Sequence, residues 1–168
     1  LYYLLLINSK YNISNFFELN TGINKIGRNF IIGVEDNSYS LYYLIELLKL
    51  SNINYVFLDN IDKLSDNVLI VNKNTQDKIL NLFINEKIDA LFLVSGINNS
   101  IFNNLAYFKY KIIPINNNKT FENLYGVTLK DFSNNIYKFK EYNTYKTYST
   151  KIVLVTNNNV SHQKIYDI

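Results

Sequence analysis

Two short segments carry the residue types from which a binding site could be built. The first is Gly33-Val34-Glu35-Asp36-Asn37-Ser38-Tyr39-Ser40, which joins an apolar run to a segment of helical period. In open α/β sheets, ligands gather where a strand ends and a helix begins. The N–H groups and positive dipole end of such a helix suit a carboxylate or phosphate. Ser38 and Ser40 would add hydroxyl donors. Asn37 and Ser38 are also natural helix caps, so the same pattern is satisfied by a plain N-cap. The second segment, Asp89-Ala90-Leu91-Phe92-Leu93-Val94-Ser95-Gly96-Ile97-Asn98-Asn99-Ser100, repeats the layout of apolar strand, small polar turn and helix start. Gly96 and Asn98 would frame the opposite wall of a shared crevice. Gly96 serves equally as a simple turn glycine. Asp89 is better placed to hydrogen-bond at the strand entrance than to act as a base.

No other group of residues assembles into a reaction centre. His162 is the single histidine and has only Ser161 beside it, with no acid to complete a triad. The absence of cysteine excludes thiol catalysis, disulfides and cysteine-held zinc. The sequence therefore points away from an enzyme and calls for no cofactor or metal. Arg28, just after Gly27, reads as solvent-facing. Four Asn-x-Ser/Thr triplets occur, at Asn12, Asn98, Asn118 and Asn159, a number expected by chance when 29 residues are asparagine. The Tyr- and Lys-rich stretch 133–148 reads as a partly exposed hairpin with amphipathic tyrosines. With a net charge of only +3, it does not argue for nucleic acid.

The 168 residues suffice for one domain or two small lobes. Apolar residues make up 48% and charged residues 18%, the balance of a globular chain. The abundance of Asn and Ile, with one arginine, five glycines and one proline, is the signature of AT-rich coding sequence. Asn is then expected at turn positions where glycine usually sits, because it tolerates positive φ. No apolar stretch reaches the 18 residues of a membrane helix. Leu1–Ile7 is too short for a complete signal peptide. A chain opening on Leu reads as a piece of a longer or processed protein.

Strands are predicted over Leu1–Ile7, Asn29–Val34, Asn54–Leu58, Asp89–Val94, Lys111–Ile115, Ile136–Phe139 and Lys151–Thr156. The run Val68–Val71 suits strand or helix. Helical period is found over Ser38–Leu50, with Leu41, Leu44, Ile45 and Leu48 inward, and over Asn74–Glu86, with Ile79, Leu80, Phe83 and Ile84 inward. Shorter helical pieces are expected at Ser14–Leu19, Ser100–Phe108, Phe121–Tyr125 and Val160–Ile168. Alternating helices and doubly apolar strands argue for an α/β fold, a mostly parallel sheet flanked by helices.

The order of these segments resembles the later part of the TAXI family, solute-binding proteins of TRAP transporters. Gly27-Arg28-Asn29-Phe30-Ile31-Ile32-Gly33 is similar to the family's Gly-Lys-Arg-Val strand ending in Gly. Asn37-Ser38-Tyr39-Ser40 falls where the family carries Gly-Ser-Gly-Thr before a Leu-Leu helix, here Leu47-Leu48. Lys87-Ile88-Asp89-Ala90 resembles its Lys-Ile-Asp-Ala strand, and Gly96 its following turn. Ile112-Ile113-Pro114-Ile115, Ile136-Tyr137, Lys151–Thr156, Val160-Ser161 and Ile165-Tyr166 resemble the closing stretch. Tyr39 replaces the family's second glycine, and no proline follows Gly96. The resemblance implies a periplasmic-binding-protein-like fold of type II with partial two-lobe architecture. Residues 1–19 would be a hinge or first-lobe strand and connector, 20–115 the second α/β lobe, and 116–168 the hinge return and first-lobe end. It implies capture of a small anionic solute, such as glutamate or a related carboxylate, by Asn37, Ser38, Tyr39, Ser40, Gly96 and Asn98. Delivery would be to integral-membrane TRAP permease subunits, in the periplasm or elsewhere outside the cytoplasm. An effector-binding sensor of the same fold, or a relative that has lost binding, is the alternative.

Overall fold

The computed structural model describes residues 1–19, 28–58, 68–73, 75–96, 105, 109–115, 118–133 and 144–151. In chain order its elements are β1 (Tyr2–Asn8), a 3₁₀ turn (Phe16–Glu18), β2 (Phe30–Glu35), α1 (Tyr39–Leu50), β3 (Tyr55–Phe57) and β4 (Val68–Lys73). They continue with α2 (Gln76–Ile84), β5 (Ala90–Ser95), β6 (Tyr110–Ile113), α3 (Lys119–Tyr125), β7 (Thr128–Ser133) and β8 (Thr144–Ser149). The ambiguous run at Val68 is a strand. The strand at Thr128–Ser133 was not expected from its sequence. It pairs antiparallel with β8, and most of the stretch 133–148 read as a hairpin lies outside the described residues. The strands expected at 136–139 and 151–156 and the helices at 100–108 and 160–168 lie outside the described residues, apart from Lys151 and Leu105.

The eight strands among the described residues share one sheet, ordered β3-β4-β2-β5-β1-β8-β7, with β6 also paired to β1. The half from β3 to β5 is parallel. From β1 onward it is antiparallel. The fold is thus α/β, and its sheet is mixed. Parallel pairing falls where helices return the chain, as crossovers require. Segment 1–19, expected as a hinge or first-lobe strand and connector, contributes β1 to the middle of this sheet.

Helices cover both faces. The side chains of Tyr3, Leu5, Ile7, Phe30, Ile32, Val34, Val68, Ile70 and Phe92 meet Leu44, Leu47 and Leu48 of α1 and Phe121 of α3. On the other face Leu4, Leu6, Val71, Leu91 and Leu93 meet Ile79, Leu80 and Phe83 of α2. Alternate residues of one strand therefore feed two cores, which is why β1 is apolar throughout. The inward set of α1 is centred on Leu44, Leu47 and Leu48, with Leu41 and Ile45 only partly covered. Gly33 lets α2 seat closely on β2. A Cβ there would collide with Cδ1 of Ile88 and lie 2.9 Å from Cγ2 of Ile79. Asparagines do stand in for glycine at turns: Asn37 and Asn52 have φ of 49° and 52°.

Candidate functional site

The β2–α1 corner is built by short-range polar contacts. Ser38 has extended backbone and caps α1, its Oγ accepting from the Leu41 N–H at 3.2 Å. The same hydroxyl donates to the Glu35 carbonyl at 2.6 Å. Asp36 accepts from the Asn37 N–H at 2.9 Å and from Asn72 Nδ2 at 3.0 Å. Asn37 supplies the positive φ that turns the chain. Both bonds of the Ser38 hydroxyl are thus internal to the corner, as in a plain cap.

Ser40 does something different. The β2–β5 ladder is short, pairing Ile32 with Ala90 and Gly33 with Leu91. Beyond it β2 turns into α1. The Val94 N–H of β5 then donates to Ser40 Oγ at 2.9 Å. Ser40 is buried and carries the helix start onto β5 where backbone pairing has stopped. It ties the first corner to the strand that leads into the second. The first corner and the end of β5, with Gly96 after it, therefore lie on one rim of the sheet, because adjacent parallel strands end on the same side. Gly96 follows β5 directly, and the space where its Cβ would stand is open. Asn98 lies outside the described residues.

A groove of about 680 Å³ opens at this rim. Its walls include Glu35, Asn37, Ser38, Tyr39, Ser40, Tyr42, Tyr43, Gln76 and Val94. Four of the six expected residues, Asn37, Ser38, Tyr39 and Ser40, line it. Glu35, Gln76, Tyr42 and Tyr43 were not anticipated. The signal for the latter was present: Tyr39, Tyr42 and Tyr43 stand at i, i+3 and i+4, one stripe of a helix. Tyr39 is 77% exposed and Tyr42 50%. The ring of Tyr43 is held edge-on by Tyr3 at 4.9 Å and by Tyr125 at 5.7 Å, and Tyr42 packs on it at 5.3 Å. The Glu35 carboxylate accepts from Gln76 Nε2 at 3.1 Å. No Lys, Arg or His side chain is among the described residues lining the groove.

A second polar cluster lies at the opposite end of the strands. Asp89 is buried and accepts from Tyr11 Oη, from both terminal nitrogens of Arg28 at 2.8 and 2.6 Å, and from the Ile31 N–H at 2.9 Å. Arg28 was expected to face solvent. Its side chain is half exposed, but its tip makes a bidentate pair with this carboxylate, which no local signal reveals because 61 residues separate them. The hydrogen bond to Asp89 raises the Arg28 pKa above its ordinary value. Burial, and then the Asp89 hydrogen bond, push Tyr11 up to about 12. Every oxygen of Asp89 is engaged, so the cluster is a structural tie between β2, β5 and the segment after β1. Among the described residues no group of three acidic, histidine or cysteine side chains is arranged to hold a metal. No helix among them is long and apolar enough to cross a membrane.

No protein-family model matches the sequence, and neither does any curated protein.

Proposed function

We propose that this chain is the solute-gripping part of a binding protein of the TAXI type, built on a periplasmic-binding-protein-like fold. In this reading it captures a small organic solute outside the cytoplasm and passes it to the permease subunits of a TRAP transporter. No bond is made or broken. The observation that carries the reading is the rim groove, where the β2–α1 corner and the end of β5 meet and Ser40 locks one to the other. Chain direction adds support. β1 runs opposite to β2 and β5, so its first residues are at the groove rim. The end of β8 returns there too, with Leu1 and Thr150 exchanging backbone hydrogen bonds of 2.9 and 3.0 Å. The start of β1 and the end of β8 thus flank the same groove rim.

Thermal denaturation against a panel of amino acids, carboxylates and amines tests the reading. A cognate solute at a hundredfold its dissociation constant adds about 2.7 kcal/mol of stability. At least one compound should raise the melting temperature, and a flat response across the panel would dismiss solute capture.

A further inference from the structure

The charge of the groove is opposite to what an anionic solute needs. A site that grips a carboxylate in water relies on a basic side chain or an unopposed helix N-terminus. Here the described lining holds no basic side chain, and the helix start is preceded by Glu35, which lines the groove, and Asp36. Asp36 is satisfied by Asn37 and Asn72. Glu35 is not. Among the described residues it makes no ion pair and accepts one hydrogen bond, from Gln76, although a carboxylate has room for about four. Lys73, its register neighbour on β4, is exposed and does not bridge to it.

Beside Glu35 the same groove presents Tyr39, Tyr42 and Tyr43. Aromatic faces attract cations through the ring quadrupole, and do so more strongly as water is excluded. Tyr42 and Tyr43 are pre-positioned by packing on Tyr125 and Tyr3, at 5.8 and 4.9 Å, so little order is lost when a ligand binds. A half-satisfied carboxylate beside three tyrosines, with no Lys, Arg or His side chain in the described wall and the Leu1 amino group turned to the Thr150 carbonyl, matches an organic ammonium group.

Resting on the solute-capture reading above, we infer that the groove bounded by Glu35, Tyr39, Tyr42 and Tyr43 selects a solute carrying an organic ammonium group. Glu35 neutralises the charge and the rings pack on the alkyl substituents. The carboxylate preference implied by family resemblance is replaced by a preference for amines.

The test is calorimetric titration of the 168-residue chain with choline, putrescine and glutamate, repeated on Glu35→Gln and Tyr39→Ala. Glu35→Gln is isosteric and keeps a partner for Gln76. Tyr39 is so exposed that its removal leaves the core intact, which circular dichroism verifies. Choline or putrescine should bind, with affinity falling about tenfold or more in Glu35→Gln and several-fold in Tyr39→Ala. Tighter binding of choline than putrescine assigns a quaternary head group, and the reverse a primary amine; both support the inference. Binding of glutamate alone, unchanged or tightened by Glu35→Gln, overturns the inference while leaving solute capture standing. Amine binding that ignores both substitutions overturns the site. Binding of none of the three overturns the inference, and the wider panel then decides whether capture falls with it.

Discussion

Ser40 is a polar residue whose value lies in where the sheet stops pairing. Replacing it with Ala leaves the Val94 N–H without its acceptor in a part-buried position. The expected cost is about 1–3 kcal/mol, read as a lower urea midpoint with unchanged slope. Ser38→Ala removes only a cap and should cost about 1 kcal/mol. If Ser40→Ala costs no more than Ser38→Ala, the tie between the corners contributes nothing of its own. At the other end, Asp89→Asn removes the charge that holds Arg28 and should cost about 2–3 kcal/mol, short of a fully buried pair because Arg28 is half exposed. Tyr11 gives this cluster a pH signature. Its pKa rises on folding from 10.0 to about 12, so the unfolded chain loses this proton first as pH rises. The associated stability is complete below pH 10 and fades as pH climbs to about 12. Tyr110 and Tyr148 are also raised, chiefly by burial, and fade in the same direction. Urea midpoints of Tyr11→Phe should therefore fall less steeply across that alkaline window than those of the wild type. Equal slopes would remove Tyr11 from the explanation.

Among the elements, α2 depends on a missing side chain. Gly33 faces Ile79 and Ile88, and an added methyl would overlap both. Gly33→Ala should cost about 1–3 kcal/mol by overpacking, with α2 displaced from β2. Restoring space through Ile88→Val in the same chain should recover part of the loss. Independent, additive losses would mean the two positions do not touch. The elements themselves were largely legible, because period decides them. Helix α1 begins where Ser38 announces it, and β5 reads as a doubly apolar run. What escaped were β7, whose Thr128-Leu129-Lys130-Asp131 alternates too weakly to stand out, and the pairing of Arg28 with Asp89. A strand that gains its identity from its partner leaves little trace in its own residues.

For the whole molecule, the aromatic cluster on the α1 face joins the parallel and antiparallel halves. Phe121 is fully buried and packs against Tyr3 of β1, Tyr43 of α1 and Tyr148 of β8, at 6.0, 6.1 and 4.9 Å. Phe121→Ala should cost about 3–5 kcal/mol and loosen α3 and β8 together. Hydrogen exchange reads this directly. Faster exchange confined to α3 would show that the cluster is not the joint between the halves. Glu46 extends the same contact at the surface, accepting from Tyr125 Oη at 2.6 Å and from Lys49 Nζ at 2.8 Å. Those bonds, the one from Lys49 first, hold its pKa below the usual carboxylate range. Because Tyr43 belongs to this cluster and also lines the groove, that part of the wall is anchored in the core behind it.

From the amino acids alone came the alternation of strand and helix, the caps, the asparagine turns and the two polar corners. Each is a local property, fixed by side-chain period or by the φ a residue tolerates. Only the folded chain decided that β1 lies antiparallel in the centre of the sheet and that Ser40 reaches Val94. It alone gathered Glu35 and three tyrosines around one groove. Those facts depend on which strands become neighbours, and neighbours are chosen by burial of two faces at once, which no single segment encodes.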